Sequence, residues 1–219
     1  NIWVIQWGLV AYYPFTGNAN DSSGNGHHGT PVNNPLLVND RFSNSASAYE
    51  FDGIDQRIDL PSSIKITADL SISFWIQTAV VDNSSWPDAR FLVDRDIGGG
   101  ARDWSVGLGQ GGKIQFNTGT GGSDEVLTST SDVNDSTWHH IVVVRDSAGL
   151  SKKIYIDGYL NTNTSFDDQQ FLNNSSPGCR NLFCSTCIIQ RNILMKCIHF
   201  LLASAVALSL HAQELEGSS

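Results

Sequence analysis

Between residues 70 and 77 the chain reads Leu-Ser-Ile-Ser-Phe-Trp-Ile-Gln, an alternation with a period of two. Successive side chains of an extended strand leave opposite faces, so Leu70, Ile72, Phe74 and Ile76 share one face and Ser71, Ser73, Trp75 and Gln77 the other. The first set is expected in a core. Trp75 is expected half-exposed on the reverse.

The same texture recurs along the chain. Runs at 9–15, 47–53, 56–61, 91–94, 104–108, 113–117, 126–129, 138–145 and 152–156 are each bounded by Gly, Asp or Asn, the residues that supply turn conformations. Glutamate occurs only at Glu50, Glu125, Glu214 and Glu216, and only 16% of residues are charged, so amphipathic helices have little to be built from. About ten to twelve short strands without alternating helices imply an all-β fold of two antiparallel sheets packed face to face, a β-sandwich. Tyr12, Phe15, Phe51, Phe74, Trp138 and Tyr155 are the bulky residues expected to fill it. In Ile154-Tyr155-Ile156-Asp157-Gly158 the Asp-Gly pair signals a hairpin turn.

Charge limits the partners. Thirteen Lys and Arg stand against 22 Asp and Glu, and up to residue 177 the acidic excess is twenty to ten. An acidic domain with scattered basic residues lacks the phosphate-binding footprint of a nucleic-acid protein. All four cysteines, Cys179, Cys184, Cys187 and Cys197, fall in the tail, so the folded part holds together without disulfides.

Five segments in order, GLVAYYPFTGNANDSSGNGHHG, AYEFDGIDQRIDLP, LSISFWIQT, WHHIVVVRD and KKIYIDGYL, together resemble the laminin-G-like jelly-roll domains. The resemblance covers roughly residues 8–160 and implies a concanavalin A-like sandwich of the kind found in extracellular multidomain proteins. It implies a non-catalytic binding or adhesion module, secreted or at a cell surface, with a glycan or an extracellular protein as partner. A structural spacer and a glycoside hydrolase related to the laminarinase-like glucanases are the alternatives.

The resemblance stops near Pro177, where the family's closing strands are expected. Residues 1–7 are expected to be a remnant, 8–177 the module, and 178–219 an anomalous tail for which a helix is one reading. Within the tail, Lys196 and the apolar run 197–210 resemble a secretory signal peptide at the wrong end, spanning 195–212, so a frameshift or gene-joining error is one expectation. The run is shorter than the roughly 20 residues needed to cross a bilayer, which argues against membrane contact. Loss of the closing strands would leave unpaired edges.

Candidate sites are few. Asn18, Asn20, Asp21 and Asn25 crowd oxygen ligands into one loop, and since relatives often hold calcium, this loop is the candidate calcium site, an ordinary Asx-rich turn being the alternative. Trp86 and Trp104 lie beside polar loops where an aromatic face can stack on a sugar ring, with Asp88, Arg90 and Arg102 near enough in sequence to bond hydroxyls; rim packing is the alternative. Glu50-Phe51-Asp52-Gly53-Ile54-Asp55 approaches the Glu-x-Asp-x-x-Glu strand of the glucanases, but glycine interrupts it and aspartate ends it, so no catalytic residue is assigned. His139 and His140 are neighbours on one strand and point to opposite faces, so they do not form a metal pair. The tail cysteines lack the spacing of two zinc knuckles.

Overall fold

A computed structural model describes residues 8–64, 66, 69–81, 89–95, 103–119, 123–165 and, for the backbone only, 193–201. The elements are β1 (Leu9–Tyr13), β2 (Thr30–Val32), β3 (Leu36–Val38), β4 (Ala48–Phe51), β5 (Arg57–Asp59), β6 (Leu70–Thr78), β7 (Arg90–Asp94), β8 (Trp104–Gly109), β9 (Lys113–Gly119), β10 (Asp124–Asp132), β11 (Trp138–Asp146), β12 (Ser151–Ile156), β13 (Tyr159–Ser165) and β14 (Ile193–Leu201). An eight-stranded sheet runs β13-β12-β11-β6-β14-β4-β3, with β1 also paired to β14. A four-stranded sheet runs β10-β9-β8-β7, and β2 pairs with β5. Every pairing is antiparallel.

The alternation at β6 decides which face is core. Leu70, Ile72, Phe74 and Ile76 are fully buried, together with Ile141 and Val143 of β11 and Ile154 of β12. They belong to one cluster with Trp104, Val106 and Leu108 of β8, Ile114 and Phe116 of β9 and Leu127 of β10. Two sheets thus share one core, the arrangement the strand spacing implies. At the rim Lys152 is buried, and its Nζ donates to Thr118 Oγ1 at 3.2 Å and to the Glu125 carbonyl, joining β12 to the smaller sheet. Asp157 and Gly158 both adopt positive φ, 52° and 83°, in the expected hairpin turn.

Phe15, Phe51 and Phe74 lie in the core, whereas Tyr12, Trp138 and Tyr155 are only half-buried. The pleat explains the correction: Ala11, Tyr13 and Phe15 are the fully buried alternates at the start of the chain, so Tyr13 and not Tyr12 fills the core. Trp138 and Tyr155 pair with Gln77 and Val142, which belong to the reverse face.

The tail contributes a strand. Residues 193–201 run between β6 on one side and β4 and β1 on the other, with a register shift between Lys196 and His199. A helix is therefore not the form of this segment. A strand prevails because the facing backbones of β6, β4 and β1 otherwise have no ladder partners, and an apolar extended run supplies them. Where loss of the closing strands was expected to leave unpaired edges, residues 193–201 pair with β6, β4 and β1. Among the described residues no helix is long and apolar enough to cross a membrane.

Candidate functional site

The two faces of the four-stranded sheet differ sharply in chemistry. Along β8 the alternates Trp104, Val106 and Leu108 enter the core, leaving Ser105, Gly107 and Gly109 on the other face. Along β9 the core takes Ile114 and Phe116, leaving Lys113, Gln115 and Asn117. Cross-strand partners share a face, so register aligns these residues into rows. The first row is Asp94, Ser105, Asn117 and Val126, and the second is Phe91, Gly107, Gln115 and Thr128.

This polar face shades from solvent inward. Asp124 and Thr128 on β10 are exposed, whereas Gln115, Asn117, Ser105 and Asp94 are buried. Gln115 lies over Gly109, where a Cβ would come within 2.5 Å of the side-chain amide. Glycine at that position is therefore what lets the amide lie across the neighbouring strand. Asn117 Nδ2 donates to Asp124 Oδ1 at 3.4 Å, and Gln115 Nε2 donates to Thr128 Oγ1 at 3.4 Å.

Three buried oxygens in these two rows have no hydrogen-bond partner: Ser105 Oγ, Gln115 Oε1 and Asn117 Oδ1. Leaving one such atom unmade costs about 1–3 kcal/mol, so native proteins hold few of them. These three lie at adjacent positions of one face, enclosed by the protein.

The ligand-binding residues expected from sequence are not brought together here. Trp104 is fully buried on the core face, because it continues the alternation with Val106 and Leu108, so it offers no stacking surface. That expectation is corrected. Arg90 pairs with Leu108, which places it on the same core-side face at the strand's end, half-buried. Trp86, Asp88 and Arg102 lie outside the described residues. Ser105, Gln115 and Asn117 were missed, although Trp-Ser-Val-Gly-Leu-Gly and Ile-Gln-Phe-Asn show them as the polar alternates of two consecutive apolar strands. On the reverse of the large sheet, Trp75 is no free platform either: Arg41 stacks on it, its guanidinium carbon 4.1 Å from the ring centroid.

The loop of Asn18, Asn20, Asp21 and Asn25 is built around one carboxylate. Asp21 Oδ1 accepts from Tyr12 N and Ser23 N, and Oδ2 accepts from Ser23 Oγ and His27 N, at 2.8–2.9 Å. Burial alone would raise the Asp21 pKa, but the donors from Tyr12, Ser23 and His27 outweigh it and hold the carboxyl below its ordinary value. Asn18 Oδ1 accepts from Asn20 N, while Asn25 Nδ2 donates to the Leu9 and Val10 carbonyls. Calcium takes about 6–8 oxygens, and here the sole carboxylate of the set has its lone pairs committed to the chain's own donors. These residues, as disposed, do not fit the ion. Among the described residues no group of three or more His, Cys, Asp or Glu side chains is placed to hold a metal.

The glucanase-like carboxylates separate as well. Glu50 is in β4, half-buried, and Asp52 lies beyond the strand's end, where Oδ1 accepts from Ile54 N in an Asx turn. His140 is buried, with Nε2 2.8 Å from Ser73 Oγ. His139 on the opposite face lies between two carboxylates, Nδ1 2.8 Å from Asp157 Oδ2 and Nε2 3.1 Å from Asp135 Oδ1.

Fold and site together define a two-sheet antiparallel sandwich whose smaller sheet buries one face and lines the other with hydroxyl, amide and carboxyl groups. The model of the laminin-G-like family described as the concanavalin A-like lectin/glucanases superfamily matches residues 52–179, and the chain belongs to that family. No curated protein matches the chain in sequence. Among solved structures, domain 4 of AbnA, a GH43 extracellular arabinanase from Geobacillus stearothermophilus solved with arabinotriose, is similar at TM-score 0.66 and 16% identity, over 90% of this chain and 93% of that one. The botulinum neurotoxin serotype D binding domain is similar at TM-score 0.72 and 14% identity, over 95% of this chain and 53% of that one. Botulinum neurotoxin type C, whose cell entry depends upon interaction with two ganglioside molecules, is similar at TM-score 0.67 and 13% identity, over 94% and 51%. The chain thus spans about half the length of the toxin domains it matches. At such identities the likeness is one of fold.

Proposed function

We propose that this chain is a non-catalytic extracellular glycan-binding module, part of a larger secreted protein, and that its ligand meets the polar face of the four-stranded sheet. The observation that carries the reading is the set of unpartnered oxygens on Ser105, Gln115 and Asn117, buried in adjacent rows of one face. A sugar offers a closely spaced array of hydroxyls that can donate to such oxygens. The fold relatives add support, since one was solved with arabinotriose and another enters cells through gangliosides.

Catalysis does not suit this face. Its carboxylates Asp94 and Asp124 stand on β7 and β10, three strand spacings apart, roughly 14 Å at about 4.8 Å per strand. Glycosidases hold their two carboxyls about 5–9.5 Å apart. The test is a glycan array probed with the full chain and with Asn117→Ala. Glycan binding without turnover, weakened by the substitution, is expected. Binding of no glycan at millimolar concentration would favour the spacer reading, and reducing-sugar release abolished by Glu50→Gln would favour a hydrolase.

A further inference from the structure

We infer that Asn25 is a site of spontaneous deamidation, restrained by the folded chain, whose conversion releases the N-terminal loop from β1. Asn25 and Gly26 form the one Asn-Gly pair in the sequence. Glycine has no Cβ to hinder attack by its own backbone nitrogen on the preceding side chain, so this pair closes a five-membered ring more readily than asparagine before any other residue. Both residues are exposed, Gly26 holds φ at +74°, and a Cβ there would meet nothing within 4 Å, so water and hydroxide reach the pair. In the reaction the Gly26 nitrogen bonds to Asn25 Cγ and gives up its proton, the Cγ–Nδ2 bond breaks, and ammonia leaves. Water then opens the ring at either carbonyl, giving aspartate or a β-linked isoaspartate.

The folded chain opposes the first step, and the same contacts show what the product undoes. Asn25 Nδ2 donates to the Leu9 carbonyl at 2.9 Å and to the Val10 carbonyl at 3.0 Å. Those carbonyls lie where β1 bulges: its pairing with β14 steps from Leu9–Leu201 to Ala11–Phe200, leaving Val10 as the extra residue. Ring closure carries Cγ onto the Gly26 nitrogen and expels Nδ2, so both hydrogen bonds are given up on the way. Conversion to aspartate replaces a double donor by an acceptor-only carboxylate facing two carbonyl oxygens. The β-linked product also adds a backbone carbon between Ser23 and His27. Both of those residues donate to the Asp21 carboxylate, and the His27 carbonyl accepts from the Tyr13 hydroxyl, so the added length falls inside the network that holds the loop.

The experiment is peptide mapping by mass spectrometry of the full chain aged at mildly alkaline pH, both folded and in urea, with thermal melting of the aged folded samples and of Asn25→Asp and Asn25→Gln. In urea Asn25 is expected to deamidate ahead of every other asparagine. In the folded chain it should react about fivefold to a hundredfold more slowly, the factor set by two hydrogen bonds that must break. Aged wild type and Asn25→Asp should both melt lower than fresh wild type, by about 2–12 °C at this chain length. Asn25→Gln, whose longer side chain closes a ring far more slowly, should keep its own melting temperature through ageing. Another asparagine converting first in urea overturns the site, and equal rates in the folded chain and in urea overturn the restraint. Chain converted at Asn25 that melts like fresh protein overturns the release of β1, a result readable from the aged wild type even if Asn25→Asp fails to fold.

Discussion

Asp21→Ala tests how the N-terminal loop is held. The carboxylate accepts four hydrogen bonds, two of them from Ser23 and buried, two part-buried from Tyr12 and His27. Bonds to a charged acceptor contribute about 1.5–3 kcal/mol each, and water can replace part of the outer two. Counting the buried pair as wholly lost gives a destabilisation of about 3–6 kcal/mol, or roughly 6–24 °C in melting temperature at about 2–4 °C per kcal/mol for a chain of this length. Asn at this position keeps one acceptor oxygen but turns an NH2 toward two donors, so it should recover less than half. Thermal melting followed by circular dichroism is the assay, with and without a calcium chelator. The carboxyl's folded pKa lies below its unfolded one, so its stabilisation is present above about pH 4 and is lost as pH falls through the folded value. A loss under 1 kcal/mol would refute the four-bond account. A chelator-induced drop in the wild type that disappears in Asp21→Ala would show the loop to be a calcium site instead.

Three further outcomes follow from named contacts. Burial pulls the Lys152 pKa down to about 8, Glu125 opposing and Arg145 adding to the effect. Because the folded pKa lies below the unfolded one, the penalty is present below pH 8 and relieved above it, so stability should rise by up to about 3 kcal/mol toward pH 10, a rise that Lys152→Met abolishes in pH-resolved denaturant titrations. For His139, burial works to lower the pKa, but the bonds to Asp157 and Asp135 outweigh it and raise it. Its stabilisation is therefore full below about pH 6.5 and lost as pH rises through the higher folded value, and melting scans from pH 6 to 8 should show a fall that is absent in His139→Gln. A Cβ on Gly29 would sit 2.6 Å from Ile58 Cγ2 and 3.1 Å from the Ala19 carbonyl oxygen, so Gly29→Ala should cost about 1–3 kcal/mol by chemical denaturation.

The strands were legible because the pleat writes itself into sequence as a period of two. Residues 70–77 carried it without interruption, and the burial of Leu70, Ile72, Phe74 and Ile76 repeats it. Trp104 was misread because its polar neighbours Arg102 and Asp103 suggest a rim, whereas its phase with Val106 and Leu108 decides its face. Phase also separates Tyr12 from Tyr13. What one strand cannot reveal is the lateral neighbour: Ser105, Gln115 and Asn117 become a set only when β8 and β9 align, a property of register. The same holds for β14, whose apolar residues read locally as signal-like and acquire a strand's conformation from the open ladders of β6, β4 and β1. In the Asx-rich loop, composition suggested oxygen ligands for a cation, yet the oxygens of Asp21 are spent on backbone and hydroxyl donors.

The side-chain amides of Gln115 and Asn117 offer the most direct view of the central claim, since each gives its own NH2 resonance. Nitrogen-15 correlation spectra of the full chain titrated with arabinotriose should move both resonances together, with saturation at one common affinity and smaller shifts at Ser105 and Thr128. Shifts confined to the Asp21 loop or to the reverse face around Trp75, with Gln115 and Asn117 unmoved at saturation, would contradict a glycan site on the four-stranded sheet.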